Sequence, residues 1–178
     1  KAFLEINGQS IIERMIEIAK SFPQSMIITN EPDIYTDYKI EIHTDVFPHR
    51  GPMSGIHSAL KHATMDNVFI ISCDMPFITR ETINHIISVH QNSDITLPIL
   101  DDKTYFVCAV YNKRILEKLD EYLIRGAELS QAKNRYFALY HFEKMFTLNK
   151  IKLDGSINKH EFSNINTTED WERIKSGV

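Results

Sequence analysis

The stretch Val68-Phe69-Ile70-Ile71-Ser72-Cys73-Asp74-Met75-Pro76 places a carboxylate directly after an apolar run. A continuous run rich in β-branched residues predicts a strand buried on both faces. Pro76 lacks a ladder donor and pushes Met75 towards extended geometry, so the strand must end about here. Asp74 is therefore expected at the carboxyl tip of a central strand. A carboxylate beside an apolar core has to be solvated, used as a cap, or bound to a cation. A loop or N-cap aspartate and a cation ligand both fit that position.

Gly51-Pro52-Met53-Ser54-Gly55 stands between a predicted strand and a predicted helix. One use of such a turn is close approach of backbone amides to an anion at a helix N-terminus. The other is a plain helix start. It is not a nucleophile elbow, because Ser54 directly precedes Gly55 instead of standing two before it, and a serine-hydrolase reading has little support. The pairs His57/His62 and His85/His90 are each five apart, which does not stack them on one helix face, so the histidines are expected at the surface or partly buried. In Asn164-Ile165-Asn166-Thr167-Thr168-Glu169-Asp170, Thr167 with Asp170 reads as a capping box. Asn164 and Asn166 alternate around Ile165, so their amides would point to one side and could hydrogen-bond a polar ligand.

The elements that must hold these residues follow from periodicity. Gln9 to Ser21 reads as a helix, Met26 to Thr29 as a buried strand, Asn30 to Asp33 as a turn, and Tyr38 to His43 as a strand. Helices are predicted over Met53–Ala63, Arg80–His90 and Asn112–Leu123. Strands are predicted over Asp94–Leu100 and Tyr105–Tyr111, joined by a hairpin tip at Asp101-Asp102. The segment from Gly126 to Phe142 reads as helical, Phe146 to Leu153 as a late strand, and Thr167 to Lys175 as a last helix. Alternating strands and helices with short connections predict an α/β fold with a mostly parallel sheet covered by helices on both faces. In open sheets of this kind ligands bind beyond the carboxyl ends of the strands. Asp74, Thr29-Asn30 and the loop carrying Asp45 all fall on that edge.

The chain of 178 residues suffices for a single domain with a substantial core, and no linker or repeat divides it. A hydrophobic fraction of 43%, a charged fraction of 25% and a net charge of −4 describe an ordinary globular protein and argue against a nucleic-acid or acidic-membrane surface. No apolar run approaches the length of a membrane span. Cys73 and Cys108 lie far apart in strand-like runs and are expected as buried thiols in a reducing cytoplasm.

Taken together, these stretches resemble one family. Lys1-Ala2-Phe3-Leu4-Glu5-Ile6-Asn7-Gly8-Gln9 before a helix, then Asp45, Gly51-Pro52-Met53-Ser54-Gly55, Cys73-Asp74-Met75-Pro76-Phe77 and Asn164-Ile165-Asn166-Thr167-Thr168-Glu169-Asp170, are similar to the molybdenum cofactor guanylyltransferases. The resemblance spans nearly the whole chain. It implies a Rossmann-like three-layer sandwich and transfer of GMP from GTP to molybdenum-molybdopterin, with release of pyrophosphate and with Mg²⁺. Asp74 would be the magnesium ligand, and Lys1 would contact the nucleotide phosphates. Asp45 would sit in the guanosine site, with Thr29 or Asn30 near base or ribose, and Gly51, Pro52 and Gly55 beside the nucleotide. Asn164 and Asn166 would face the pterin. Transient contact with other proteins of the cofactor pathway is compatible with it. The family carries a glycine-rich loop, L-x-G-G-x-S-x-R-M-G, immediately before the lysine, so that loop and its strand are expected upstream of Lys1. A related cytidylyl- or sugar-phosphate nucleotidyltransferase, or a non-catalytic scaffold on the same fold, remains an alternative at this point.

Overall fold

The computed structural model describes residues 1–129, 138–153, 155, 157–165 and 167–175. The chain opens with β1 (Glu5–Ile6) and β2 (Gln9–Ser10), followed by α1 (Ile11–Ala19) and β3 (Met26–Ile28). A 3₁₀ turn over Pro32–Tyr38 leads to β4 (Glu41–His43), α2 (Pro52–His62), β5 (Asn67–Ile71) and α3 (Arg80–Ser88). Then come β6 (Ile95–Leu100), β7 (Lys103–Thr104), β8 (Cys108–Asn112), α4 (Leu116–Leu129), α5 (Phe142–Met145), β9 (Leu148–Lys152) and α6 (Thr168–Lys175).

Local chemistry explains the boundaries. Ser10 caps α1: the Glu13 amide donates to Ser10 Oγ at 3.3 Å, and the Ser10 amide donates to the Glu13 carboxylate at 2.9 Å. The hydrogen bonds to Ser10 lower the Glu13 pKa. The strand expected from Tyr38 shortens to β4, because the 3₁₀ turn runs to Tyr38 and Lys39 adopts a left-handed φ of 49°. Thr167 and Asp170 form the expected capping box before α6, at 2.9 and 3.1 Å. Of the segment predicted helical from Gly126 to Phe142, residues 126–129 belong to α4, Leu139–His141 form a 3₁₀ turn, and 130–137 lie outside the described residues.

The α/β layering holds, but the sheet is mixed instead of mostly parallel. β8 lies between β5 and β6 and runs antiparallel to both, whereas β9 joins the far edge of β6 in parallel. The cause is the turn at Asp101-Asp102, whose φ angles of 47° and 61° reverse the chain from β6 into β7. The connection from Leu100 to Cys108 is too short for the crossover helix that a parallel β8 would need.

Helices cover both faces. Cys108 and Val110 of β8 point into one apolar cluster with Ile83, Ile86 and Phe162, and Ala109 and Tyr111 into another with Met53, Leu60 and Phe142. Cys108 is buried as expected, but Cys73 is exposed, because β5 ends at Ile71 and the chain turns outward before the thiol. Among the described residues, no helix is long and apolar enough to cross a membrane.

β3 and β4 form a separate parallel pair. Between this pair and β5 lies an apolar cavity of about 730 Å³, lined by Met26, Ile27 and Ile28 on one side and Val68, Phe69 and Ile70 on the other.

Candidate active site

The carboxyl ends of β3 and β5 open onto the mouth of that cavity, and Thr29, Pro52, Gly55 and Asp74 all line it. The fold thus brings together residues far apart in sequence, along the strand edge where open α/β sheets bind ligands.

Asp74 follows β5 in the Ser72–Pro76 turn and caps no helix. Its backbone carbonyl accepts a hydrogen bond from the Ile165 amide at 2.9 Å, which ties Ile165 to the strand tip. Its side-chain Oδ1 is buried without a hydrogen-bond partner. The Oδ1 of Asn164, next to that tie, is likewise buried and unpaired. Two buried oxygen acceptors left unsatisfied cost free energy unless something donates to them or coordinates them. Hard oxygen ligands are what Mg²⁺ takes, and Mg²⁺ is commonly held by one or two protein groups plus substrate phosphates. Among the described residues there is no cluster of three or more His, Cys, Asp or Glu side chains fit to hold a metal alone. The donor set therefore fits a cation shared with a phosphate ligand. Asn166 lies outside the described residues.

Lys1 sits at the same end. The Cys73 thiol pKa is raised, first by desolvation and then by the charge of Asp74, while the Lys1 ammonium acts in the opposite sense. Lys1 and Asp74 thus share one electrostatic neighbourhood around Cys73. Ala2 holds the segment in place, packed with Ile12, Ile16 and Tyr35.

Next to Thr29 in the chain, Asn30 donates its side-chain amide to Asp45 Oδ2 at 2.8 Å. Thr29 is anchored by its amide to the His43 carbonyl at 2.9 Å. Gly51 is the N-cap of α2 with φ 59° and ψ −149°, a conformation that only glycine adopts without strain. Pro52 then takes the first helical position, where its missing amide costs nothing. A side chain at Gly55 would meet nothing within 4 Å, so this glycine keeps a face of α2 open to the cavity.

His57 departs from the sequence expectation. It is fully buried, and its Nε2 lies 2.7 Å from Asp120 Oδ1 on α4. The signal was present in Ser54, His57 and Ser58, which share one face of a helix at spacings of three and four. All three are 0% exposed.

Residues 1–138 match the family model of the MobA-like NTP transferase domain. The molybdenum cofactor guanylyltransferase of Desulfosudis oleivorans is 30% identical over 181 residues, covering 100% of this chain and 87% of that protein. The solved structure of molybdopterin-guanine dinucleotide biosynthesis protein A from Archaeoglobus fulgidus superposes with a TM-score of 0.81 at 20% identity, covering 99% of this chain and 89% of the other. Rv0371C of Mycobacterium tuberculosis, solved in complex with manganese, superposes with a TM-score of 0.68 at 14% identity, covering 100% and 92%. These last two likenesses concern the fold. With the family model matching well over half its length, the chain is a nucleotidyltransferase that belongs to the MobA-like NTP transferase family.

Proposed function

We propose that this enzyme transfers GMP from GTP to the phosphate of molybdenum-molybdopterin and releases pyrophosphate. The observation that carries the reading is the unpaired Asp74 carboxylate oxygen at the mouth of a cavity shared with Thr29, Pro52 and Gly55. In the reaction an oxygen of the acceptor phosphate bonds to the α-phosphorus of GTP, and the bond from that phosphorus to the bridging oxygen breaks. Pyrophosphate leaves with the electron pair. The attacking phosphate is already ionised, so no general base is required.

Such a transfer needs charge neutralisation and in-line positioning more than a protein nucleophile. Asp74 and Asn164 would hold Mg²⁺, which when bound neutralises charge on the phosphates. Lys1 adds a point charge for the leaving pyrophosphate. The N-terminus of α2, entered through Gly51 and Pro52, offers its dipole and free amides to the nucleotide. Asp45, oriented by Asn30, offers a carboxylate acceptor to the adjacent N–H donors of guanine, which adenine and cytosine do not present in that arrangement. Asn164 and Asn166 would border the pterin. The substrates are then GTP and molybdopterin, and a reducing cytoplasm suits the free thiols Cys73 and Cys108.

The inner part of the cavity, between the edges of β3 and β5, suits one further apolar strand. A strand upstream of Lys1, leading into a glycine-rich phosphate loop, would fill it and leave the mouth for the nucleotide.

The test is titration calorimetry on the full-length protein with GTP, CTP and ATP, each with and without Mg²⁺. A Mg²⁺-dependent preference for GTP supports the assignment. A preference for CTP would keep the fold and overturn the guanylyl assignment.

A further inference from the structure

The 44–51 loop carries Asp45, which accepts from the Asn30 side chain, and it is clamped along its length to one face of α2. The Val46 amide donates to Ser58 Oγ at 2.9 Å. Ser54 Oγ donates to the Phe47 carbonyl at 2.5 Å and accepts from the Arg50 amide at 3.1 Å. The Phe47 ring meets the His57 ring edge-on, centroids 4.8 Å apart at 67°. His57 supplies the floor on which this loop rests.

What orients that floor is Asp120. His57 is 0% exposed, and its Nδ1 is buried without a partner, so the bond from Nε2 to Asp120 is the hydrogen bond that fixes the ring. A carboxylate acceptor selects the tautomer with the proton on Nε2 and leaves Nδ1 as a bare acceptor. Asp120 lies on α4, with its side chain 30% exposed. A chain of contacts therefore runs from the α4 surface through His57 and Phe47 to the loop that presents Asp45.

We propose that His57 and Asp120 are positioning residues for the base of the bound nucleotide. They act through Phe47 and the backbone of the 44–51 loop and touch neither substrate nor metal. This inference rests on the nucleotide-site reading above. It separates two parts of one ligand: base recognition depends on the clamp, whereas phosphate and cation binding at Asp74 and Lys1 do not.

The experiment compares Asp120→Ala, Asp120→Asn and Asp45→Asn in the full-length protein. GTP, ATP and inorganic tripolyphosphate are titrated, each with Mg²⁺, and thermal unfolding checks the fold. Asp120→Ala is expected to weaken GTP binding roughly tenfold, the scale of one lost hydrogen bond to a charged group. It should shrink the preference for GTP over ATP and leave tripolyphosphate binding unchanged. Asp120→Asn keeps an acceptor for Nε2 and should recover most of the loss. If Asp120→Ala binds GTP as the parent does, or loses GTP and tripolyphosphate equally, the positioning role is wrong. Asp45→Asn separates this from the underlying reading. If it leaves base preference intact, Asp45 does not face the base and the nucleotide-site assignment falls first. If it abolishes the preference while Asp120→Ala does not alter it, only the role of His57 and Asp120 is overturned.

Discussion

β5 and β8 are neighbours in one sheet, paired from Asn67–Asn112 to Ile71–Cys108, and both are short apolar runs. Their surroundings differ. Cys108 to Tyr111 are all buried, whereas Val68 to Ile71 of β5 are only half-buried, like Met26 to Ile28 of β3. β8 has a strand on each edge and helices on both faces. β5 has β8 on one edge and the cavity on the other. The same sequence signature thus stands inside a closed packing layer in one strand and beside an open edge in the next. Close packing is concentrated in the closed half, and the residues proposed for the chemistry lie at the open half.

The largest test of this division is Asp74→Asn. Losing a cation ligand worth several kcal/mol should cut turnover by roughly a hundredfold or more. Thermal stability should hold or rise, because a buried unpaired carboxylate oxygen is a burden to the fold. Steady-state rates and a melting curve on the same preparation check both halves. Near-normal turnover with Mg²⁺ would remove the metal role from Asp74.

Leu97 of β6, 0% exposed in the closed half, should show the opposite profile. Leu97→Ala should cost about 2–5 kcal/mol in denaturant unfolding while nucleotide affinity stays within about twofold. In the chain of 178 residues, where Ile70 is half-buried against the cavity, Ile70→Ala should cost only about 1 kcal/mol, since such a side chain loses less on truncation. Equal costs at Leu97 and Ile70 would abolish the distinction between the two halves.

The smallest effect concerns pH. His62 of α2 stacks on His43 of β4, centroids 3.6 Å apart at 8°. Burial, and then the charge of His43, lower the His62 pKa below that of an ordinary exposed imidazole. The unfolded chain therefore binds this proton more readily than the folded one. Stability should fall as pH drops through about 6.5, with the penalty complete below the folded value. His62→Asn should flatten part of that slope. His90, also lowered by burial, keeps the remainder. An unchanged slope in melting temperature between about pH 7 and about pH 5 would show that His62 does not contribute.

Much of this was legible before any coordinates. Asp74 at a strand tip followed from an apolar run stopped by proline, and the shared strand edge of Thr29 and Asp74 followed from alternating strands and helices. Both are local signals. The insertion of β8 was not legible, because strand order is decided by which edges meet in space. Asp101-Asp102 announced a hairpin but not what the returning strand would pair with. His57 is invisible to histidine spacing, because its partner Asp120 lies on another helix. Cys73 reads as a core thiol from its place in an apolar run, but the strand ends two residues before it. The meeting of Ile165 with the Asp74 tip rests on one backbone hydrogen bond between distant segments, which no spacing rule encodes.

The position of β9 has a consequence for how the chain folds. β6 can close on β7 at once through the two-residue turn, and β8 follows soon after. Yet the far edge of β6 waits for Leu148 to reach Ile95, across all of α4 and α5. Closing so long a loop carries an entropic cost before any contact offsets it. Parallel pairing of distant segments is the slow kind of sheet formation. A chain emerging from the ribosome therefore shows an open, apolar β6 edge until its last quarter is synthesised. During that interval it is most prone to pair with another copy of itself.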